Sequence, residues 1–191
     1  MDEENKKSKL EVFKYNAILS ALFFLTSTLY LGSKIPNYNL SKYTISQISF
    51  FLNGTQLSFF NLIFIIKCIL DLSFTSYVFK KYKLRLFSFT ALIWLIAFLS
   101  FGLIGFFPES KFKLIHWFIA SCVFIFFPIS QLAMAKLTKH ERFEYFSNNL
   151  LLVQLLIVLL FFIFNSINGI FEIIYFLLVF SWQIIFISRF L

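Results

Sequence analysis

The chain has 191 residues, of which 60% are hydrophobic, and it carries a formal net charge of +8. A soluble domain of this size could not bury so much apolar surface, because a small globule keeps a large outside. The apolar residues form long unbroken runs without the period-two alternation of a β-barrel, so spanning helices are predicted. The lysines and arginines lie mostly at the ends of these runs, where lipid head groups account for them, and no nucleic-acid partner is expected.

Taken in chain order, the apolar runs predict an all-α integral membrane protein, a bundle of six transmembrane helices in a single domain over residues 1–191. The polar start of the chain is predicted to be a short mobile tail. The longest connection, residues 32–56, follows the first helix, and the turn between the last two helices is tight. The predicted helices cover residues 12–31, 57–79, 86–106, 112–136, 148–164 and 170–188.

Lysine and arginine residues in the short connections predict the orientation, because cytoplasmic loops carry an excess of both. Most of them lie on the side of the two termini, which is therefore predicted to be cytoplasmic. Only four lie on the other side, which we call the outer side: Lys34, Lys42, Lys111 and Lys113. The long first loop and the turn between helices three and four then share the outer face.

Four polar residues on this outer face form the candidate ligand site: Ser46, Gln47, Glu109 and His116. A histidine near pH 7 can carry a proton or anchor an anionic group, and nearby lysines attract anionic head groups. The preferred hypothesis is that the protein binds an anionic lipid or a small ligand in an outer pocket. The alternative for His116 is a histidine wetted by head groups at the membrane interface.

Metal and cofactor chemistry is not expected. His140, the other histidine, lies about 36 Å of helix beyond His116 and therefore on the opposite side of the membrane. The two cysteines, Cys68 and Cys122, fall inside predicted spans, where free thiols usually act as small hydrophobic groups. An enzyme acting on lipid head groups would need a nucleophile within reach of His116, and no spacing in the chain indicates one.

Lys67 and Asp71 lie near the middle of helix two and face the same side, because they are four residues apart. Charged side chains are costly at this depth and often mark an ion or substrate path. They therefore support an alternative function, a proton-coupled carrier of small molecules. A neutralised pair that only orients helix two remains open, as does a non-catalytic subunit or scaffold.

Two further residues carry structural expectations. Glu172 opens helix six on the outer side, where a carboxylate complements the helix dipole, so a capping role is predicted. Pro128 lies inside helix four and removes a backbone donor, so a kink is predicted there.

Two outer motifs resemble a bacterial and archaeal membrane family catalogued as domain of unknown function 998, which is similar to the eukaryotic Frag/DRAM/Sfk group. The first is Y-T-I-S-Q-I at residues 43–48, although Ser49 stands where the family tends to have glycine. The second is G-F-F-P-E at residues 105–109, followed by His116, Ala120 and Phe124. The resemblance implies six helices and the cytoplasmic membrane of a prokaryote, and it implies no known reaction.

Overall fold

The computed structural model describes residues 11–164 and 168–191, and it contains six helices that are long and apolar enough to cross a membrane. A four-residue 3₁₀ turn, Val12–Tyr15, leads into the first helix. The helices are α1 (Asn16–Ser33), α2 (Gly54–Lys81), α3 (Phe89–Phe106), α4 (Glu109–Leu137), α5 (Glu141–Phe164) and α6 (Gly169–Phe190). The predicted six-helix membrane fold is confirmed. Most of the predicted N-terminal tail, residues 1–10, lies outside the described residues. So do residues 165–167 of the predicted turn between the last two helices.

The start of α5 differs most from its predicted position. It begins at Glu141, seven residues before the predicted start, because the charged residues that indicated a loop are exposed helical residues at the inner end. Phe143 and Ser147 are four apart and both buried, and Ser147 Oγ accepts a hydrogen bond of 2.7 Å from Trp182 Nε1. Contact with α6 therefore extends α5 beyond the apolar run that predicted it.

Aromatic rings form much of the core and place α6 against several other helices. Phe176 on α6 meets Phe24 of α1 at 5.6 Å, Phe101 of α3 at 5.5 Å and Phe124 of α4 at 6.0 Å between ring centroids. Offset and edge-to-face pairs of this kind add to the packing energy of the rings. The contacts hold α6 beside α4, where the candidate site lies.

Helix α4 departs from helical backbone angles at Phe112 (φ −132°, ψ 51°), whereas Pro128 stays inside the helix. These angles mark a break near the outer end of the helix, and the kink predicted at Pro128 stays a prediction. Pro128 has no N–H, so the carbonyl of Phe124, four residues earlier, loses its helical donor. Tyr175 of α6 replaces that donor, with its hydroxyl 2.7 Å from Phe124 O.

Helices α2 and α3 approach closely at Gly102. A Cβ atom at this position would lie 2.6 Å from Cys68 Sγ and 2.7 Å from Cys68 Cβ. Small residues allow such close helix contacts in membranes, where packing rather than hydrophobic burial drives association. Gly102 therefore sets the distance between the two helices.

Gly102→Ala is expected to lower the free energy of unfolding by about 1–2 kcal/mol, because the added methyl group overpacks the contact. Thermal unfolding of the purified protein in a neutral detergent measures the effect. Leu103→Ala is the matched control on the same helix, since Leu103 is exposed toward lipid. Equal unfolding temperatures for Gly102→Ala and the wild type would contradict the close contact.

Candidate functional site

The outer loop between α1 and α2 is fixed to the start of α6 by backbone hydrogen bonds. Gly169 N donates to Tyr43 O at 2.8 Å, and Ile170 N donates to Leu40 O at 3.2 Å. A Cβ on Gly169 would lie 2.9 Å from Tyr43 O, so only glycine permits this approach without a shift. The loop therefore has a defined position above the bundle.

Tyr38 braces the same loop from inside. Its hydroxyl donates to Thr44 O at 3.0 Å. Burial, and secondarily the negative charge of Glu172, raises the pKa of Tyr38 above its ordinary value. The hydroxyl therefore remains a donor across the physiological pH range, and this loop contact does not titrate there.

Glu109, in the first turn of α4, is held by the loop and by its own helix. Ser46 Oγ donates to Glu109 Oε2 at 3.1 Å, and Gln47 Nε2 lies 3.4 Å from Oε1. Trp117 Nε1 also donates to Oε1, at 3.0 Å. The carboxylate is 4% exposed, so three donors replace the water that it loses on burial. The predicted residues Ser46, Gln47 and Glu109 thus form one hydrogen-bonded group.

Glu172 lies in the first turn of α6, as predicted, but its side chain bonds to the loop and does not cap the helix. Its Oε2 accepts a hydrogen bond of 2.5 Å from Ile45 N. The cap of α6 is Asn168, whose side chain accepts from Phe171 N. Ile45 and Ser46 are consecutive, so one short segment of the loop donates to both Glu172 and Glu109.

His116 is 2% exposed and lies on α4, seven residues after Glu109. Its Nδ1 is 2.9 Å from Phe107 O, so Nδ1 carries the proton that this carbonyl accepts. Among the described residues, neither Glu109 nor Ser46 forms a hydrogen bond with the ring. In the neutral imidazole the second nitrogen, Nε2, is then an acceptor.

A cavity of about 350 Å³ lies among these side chains. Its polar end is lined by Lys42, Thr44, Ser46, Gln47, Glu109, His116, Trp117 and Glu172. Its other end, toward the membrane interior, is lined by Ala120, Ser121, Phe124, Ile125, Val158 and Phe161. The volume falls within the range of small-molecule sites, and polarity changes along the cavity from the outer loop to the bilayer.

The cavity reaches the lipid-facing side of α4. Trp117, Ser121 and Ile125 follow each other at intervals of four residues and therefore lie along one edge of the helix. Trp117 and Ile125 are exposed to the surroundings of the bundle, whereas Phe124 is half-buried and packs against Phe176 of α6. A molecule in the bilayer could thus enter from the side, between α4 and α5.

All four predicted site residues, Ser46, Gln47, Glu109 and His116, line this one cavity. Glu172 was predicted as a capping residue rather than a site residue, and Trp117 and most of the lower apolar wall were not predicted. A glutamate in the first turn of a helix and a tryptophan at the interface both have ordinary structural explanations. The signal that could have singled out Glu172 was its place on the same outer face as Glu109.

The Lys67–Asp71 pair is a separate feature. Lys67 Nζ is 2.5 Å from Asp71 Oδ2, and Ser20 of α1 donates to Asp71 Oδ1 at 2.6 Å. Lys67 is 1% exposed and Asp71 0%. The ammonium also lies 4.3 Å from the ring centroid of Phe101 and 5.6 Å from that of Phe180. Aromatic rings and a serine therefore enclose the pair.

Metal binding gains no support from the arrangement of ligating groups. In residues 11–164 and 168–191, no three histidine, cysteine, aspartate or glutamate side chains lie close enough to hold a metal ion. Cys68 and Cys122 are free thiols. The polar side chains that line the cavity offer hydrogen bonding and charge, mainly through two carboxylates and an imidazole.

The fold and the cavity define a multi-pass membrane protein with an amphipathic cavity at one end of a six-helix bundle. The family described as "Protein of unknown function (DUF998)" matches residues 18–189. The chain belongs to this family, and the resemblance carried by the two outer motifs is confirmed to that extent. No curated protein and no solved structure shows a significant match to the chain.

Proposed function

We propose that this protein binds a lipid or a lipid-like small molecule, with the polar end of the ligand under the outer loop and its apolar end beside α4 and α5. The observation that carries the proposal is the 350 Å³ cavity, which is polar at the loop and apolar toward the bilayer. An amphiphile satisfies both ends at once, whereas a fully polar ligand would leave the lower wall unmatched.

The side of the cavity supports entry from the membrane. Trp117 has a polar N–H, engaged by Glu109, and an apolar ring exposed at the edge of α4. Tryptophan is suited to the boundary between head groups and acyl chains. The polar end of the cavity then lies at head-group depth, so the ligand keeps its orientation in the bilayer as it enters.

We also propose a cellular location and a relationship to a second protein group. Placement in the cytoplasmic membrane of a prokaryote, with both termini in the cytoplasm, rests on the lysine and arginine distribution and on the resemblance to the family. The likeness to the Frag/DRAM/Sfk group rests on the two outer motifs. An outer-facing cavity in that orientation would open on the extracytoplasmic leaflet.

The carrier alternative is less well supported than ligand binding. A proton path through Lys67 and Asp71 needs access to water, and the two side chains are 1% and 0% exposed. Ser20, Phe101 and Phe180 surround them. This burial favours the structural role, in which the pair orients α2 toward α1 and the centre of the bundle.

Ala120→Trp is expected to abolish ligand binding while the protein still folds. Ala120 lies on the cavity wall, so an indole at this position occupies the space of the ligand. The measurement is the amount of amphiphile that co-purifies with the protein, extracted and quantified by mass spectrometry. We expect at least a tenfold loss relative to the wild type.

Leu114→Trp is the matched control for this experiment, because it adds the same indole to an exposed position of α4. It should retain the wild-type amount of co-purified amphiphile. An unchanged unfolding temperature and a single size-exclusion peak establish that Ala120→Trp is folded. If the folded Ala120→Trp protein carries as much amphiphile as the control, ligand binding in this cavity is wrong.

A further inference from the structure

The polar end of the cavity contains two buried carboxylates that have no cationic partner among the described residues. Glu109 is 4% exposed and Glu172 is 7% exposed. The ion pair found in the described part of the chain is Lys67–Asp71, which lies elsewhere. A buried charge without a counter-ion is unfavourable, so a ligand that brings positive charge would stabilise this end of the cavity.

The hydrogen-bond donors around the cavity are already engaged. Ser46 Oγ and Trp117 Nε1 donate to Glu109, and Ile45 N donates to Glu172. Thr44 Oγ1 lies 3.0 Å from Ser46 Oγ, and it becomes the donor in that pair because Ser46 donates to Glu109. A ligand with only acceptor atoms would therefore find few donors here.

Acceptors, by contrast, remain. His116 lines the cavity and is only 2% exposed. Its Nδ1 donates its proton to Phe107 O. Its Nε2 has no hydrogen-bond partner among the described residues and carries the lone pair of the neutral ring. Each carboxylate also keeps lone pairs beyond those that the loop uses. The polar end of the cavity therefore matches a ligand with several hydrogen-bond donors.

Positive charge from the protein itself is limited at this end. Lys42 is the lysine that lines the cavity, and its side chain is exposed. The ammonium of Lys113 lies over the Trp117 ring, 5.3 Å from its centroid. Anchoring of an anionic head group by His116 and lysines, the expectation from sequence, would place that anion beside two carboxylates.

We infer that the outer end of the cavity selects a protonated amine, held by Glu109, Glu172 and His116 Nε2. This inference rests on the proposed amphiphile pocket. A primary ammonium has three donors and one positive charge, which match the acceptors and neutralise one of the buried carboxylates. Hydrogen bonds between charged groups are stronger than neutral ones. A phosphate or carboxylate head group would meet like charge and is disfavoured.

The test uses the full chain in nanodiscs of phosphatidylcholine at pH 7 and three ligands with the same ten-carbon chain: decylamine, decanol and decyl phosphate. Binding is measured as the rise in unfolding temperature with ligand concentration. The fluorescence of Trp117, with Trp117→Phe as the blank, reports occupancy of the cavity. We expect decylamine to reach half-saturation at a concentration at least tenfold below that of decyl phosphate.

Glu109→Gln and Glu172→Gln should each reduce the preference for decylamine over decanol at least fivefold. Glutamine keeps one acceptor oxygen, which can still accept from Trp117 at position 109 or from Ile45 at position 172. At position 109 the second oxygen, which accepts from Ser46, is replaced by an amide group. Glu141→Gln, an exposed glutamate at the opposite end of the protein, is the control for net charge and should behave as the wild type. Lys42→Gln should strengthen decylamine binding, because it removes a like charge.

The outcomes separate the two proposals. Equal binding of all three ligands, or tighter binding of decyl phosphate, leaves the amphiphile pocket intact and shows that the amine inference is wrong. No response to any of the three overturns both. Ethylamine, which lacks the long chain, distinguishes the source of the amine: binding as tight as that of decylamine would support the amine site and contradict the amphiphile proposal.

Discussion

Lys67→Met is expected to lower the free energy of unfolding by about 3–5 kcal/mol, because it leaves Asp71 buried without its counter-ion. Asp71 is fully buried and would keep only the hydroxyl of Ser20 as a partner. Asp71→Asn should be nearly as damaging, since it leaves the Lys67 ammonium with a serine and the aromatic rings. Reversible unfolding in mixed detergent micelles measures both effects.

The double variant Lys67→Met with Asp71→Leu tests whether the single variants lose stability through an unpaired buried charge. Apolar replacement of a whole buried pair is often neutral or stabilising, so the double variant should be within about 1 kcal/mol of the wild type or above it. Lys80→Met, at the exposed inner end of α2, controls for the loss of a lysine. Single variants as stable as this control would contradict the enclosed pair.

Tyr175→Phe is expected to cost about 3 kcal/mol, near the upper end of the range for an orphaned buried acceptor. The hydroxyl of Tyr175 supplies the hydrogen bond that Phe124 O loses to Pro128. No water in the hydrocarbon region can take its place. The unfolding temperature should fall accordingly, and because Phe124 lines the cavity, ligand binding should weaken as well.

A double-mutant cycle tests this explanation directly. Pro128→Ala restores a backbone N–H four residues after Phe124, so the carbonyl regains its helical partner. Tyr175→Phe should therefore cost at least 1 kcal/mol less in the Pro128→Ala background than in the wild type. Tyr145→Phe, an exposed tyrosine on α5, is the control for loss of a hydroxyl. Additive effects of the two substitutions would show that Tyr175 does not compensate for Pro128.

The fold was more predictable from local properties than the candidate site. The six spans follow from hydrophobic length, yet α5 starts at Glu141 because Phe143 and Ser147 pack on α6, and no apolar run reveals that contact. At the site, the shared outer face of residues 43–48 and 105–109 was predictable from topology. The partner of each side chain was not, as His116 shows by bonding to Phe107 O.

By itself the sequence determined the number of membrane-spanning helices, the predicted orientation and the face on which Ser46, Gln47, Glu109 and His116 meet. These depend on hydrophobic length and on charge near helix ends, which are properties of short segments. Only the tertiary structure decided that Glu172 reaches Ile45, that Tyr175 compensates for Pro128, and that Ser20 encloses the Lys67–Asp71 pair. Each of those contacts joins residues of different elements, far apart in the chain, and depends on how the helices and the outer loop rotate and pack against one another.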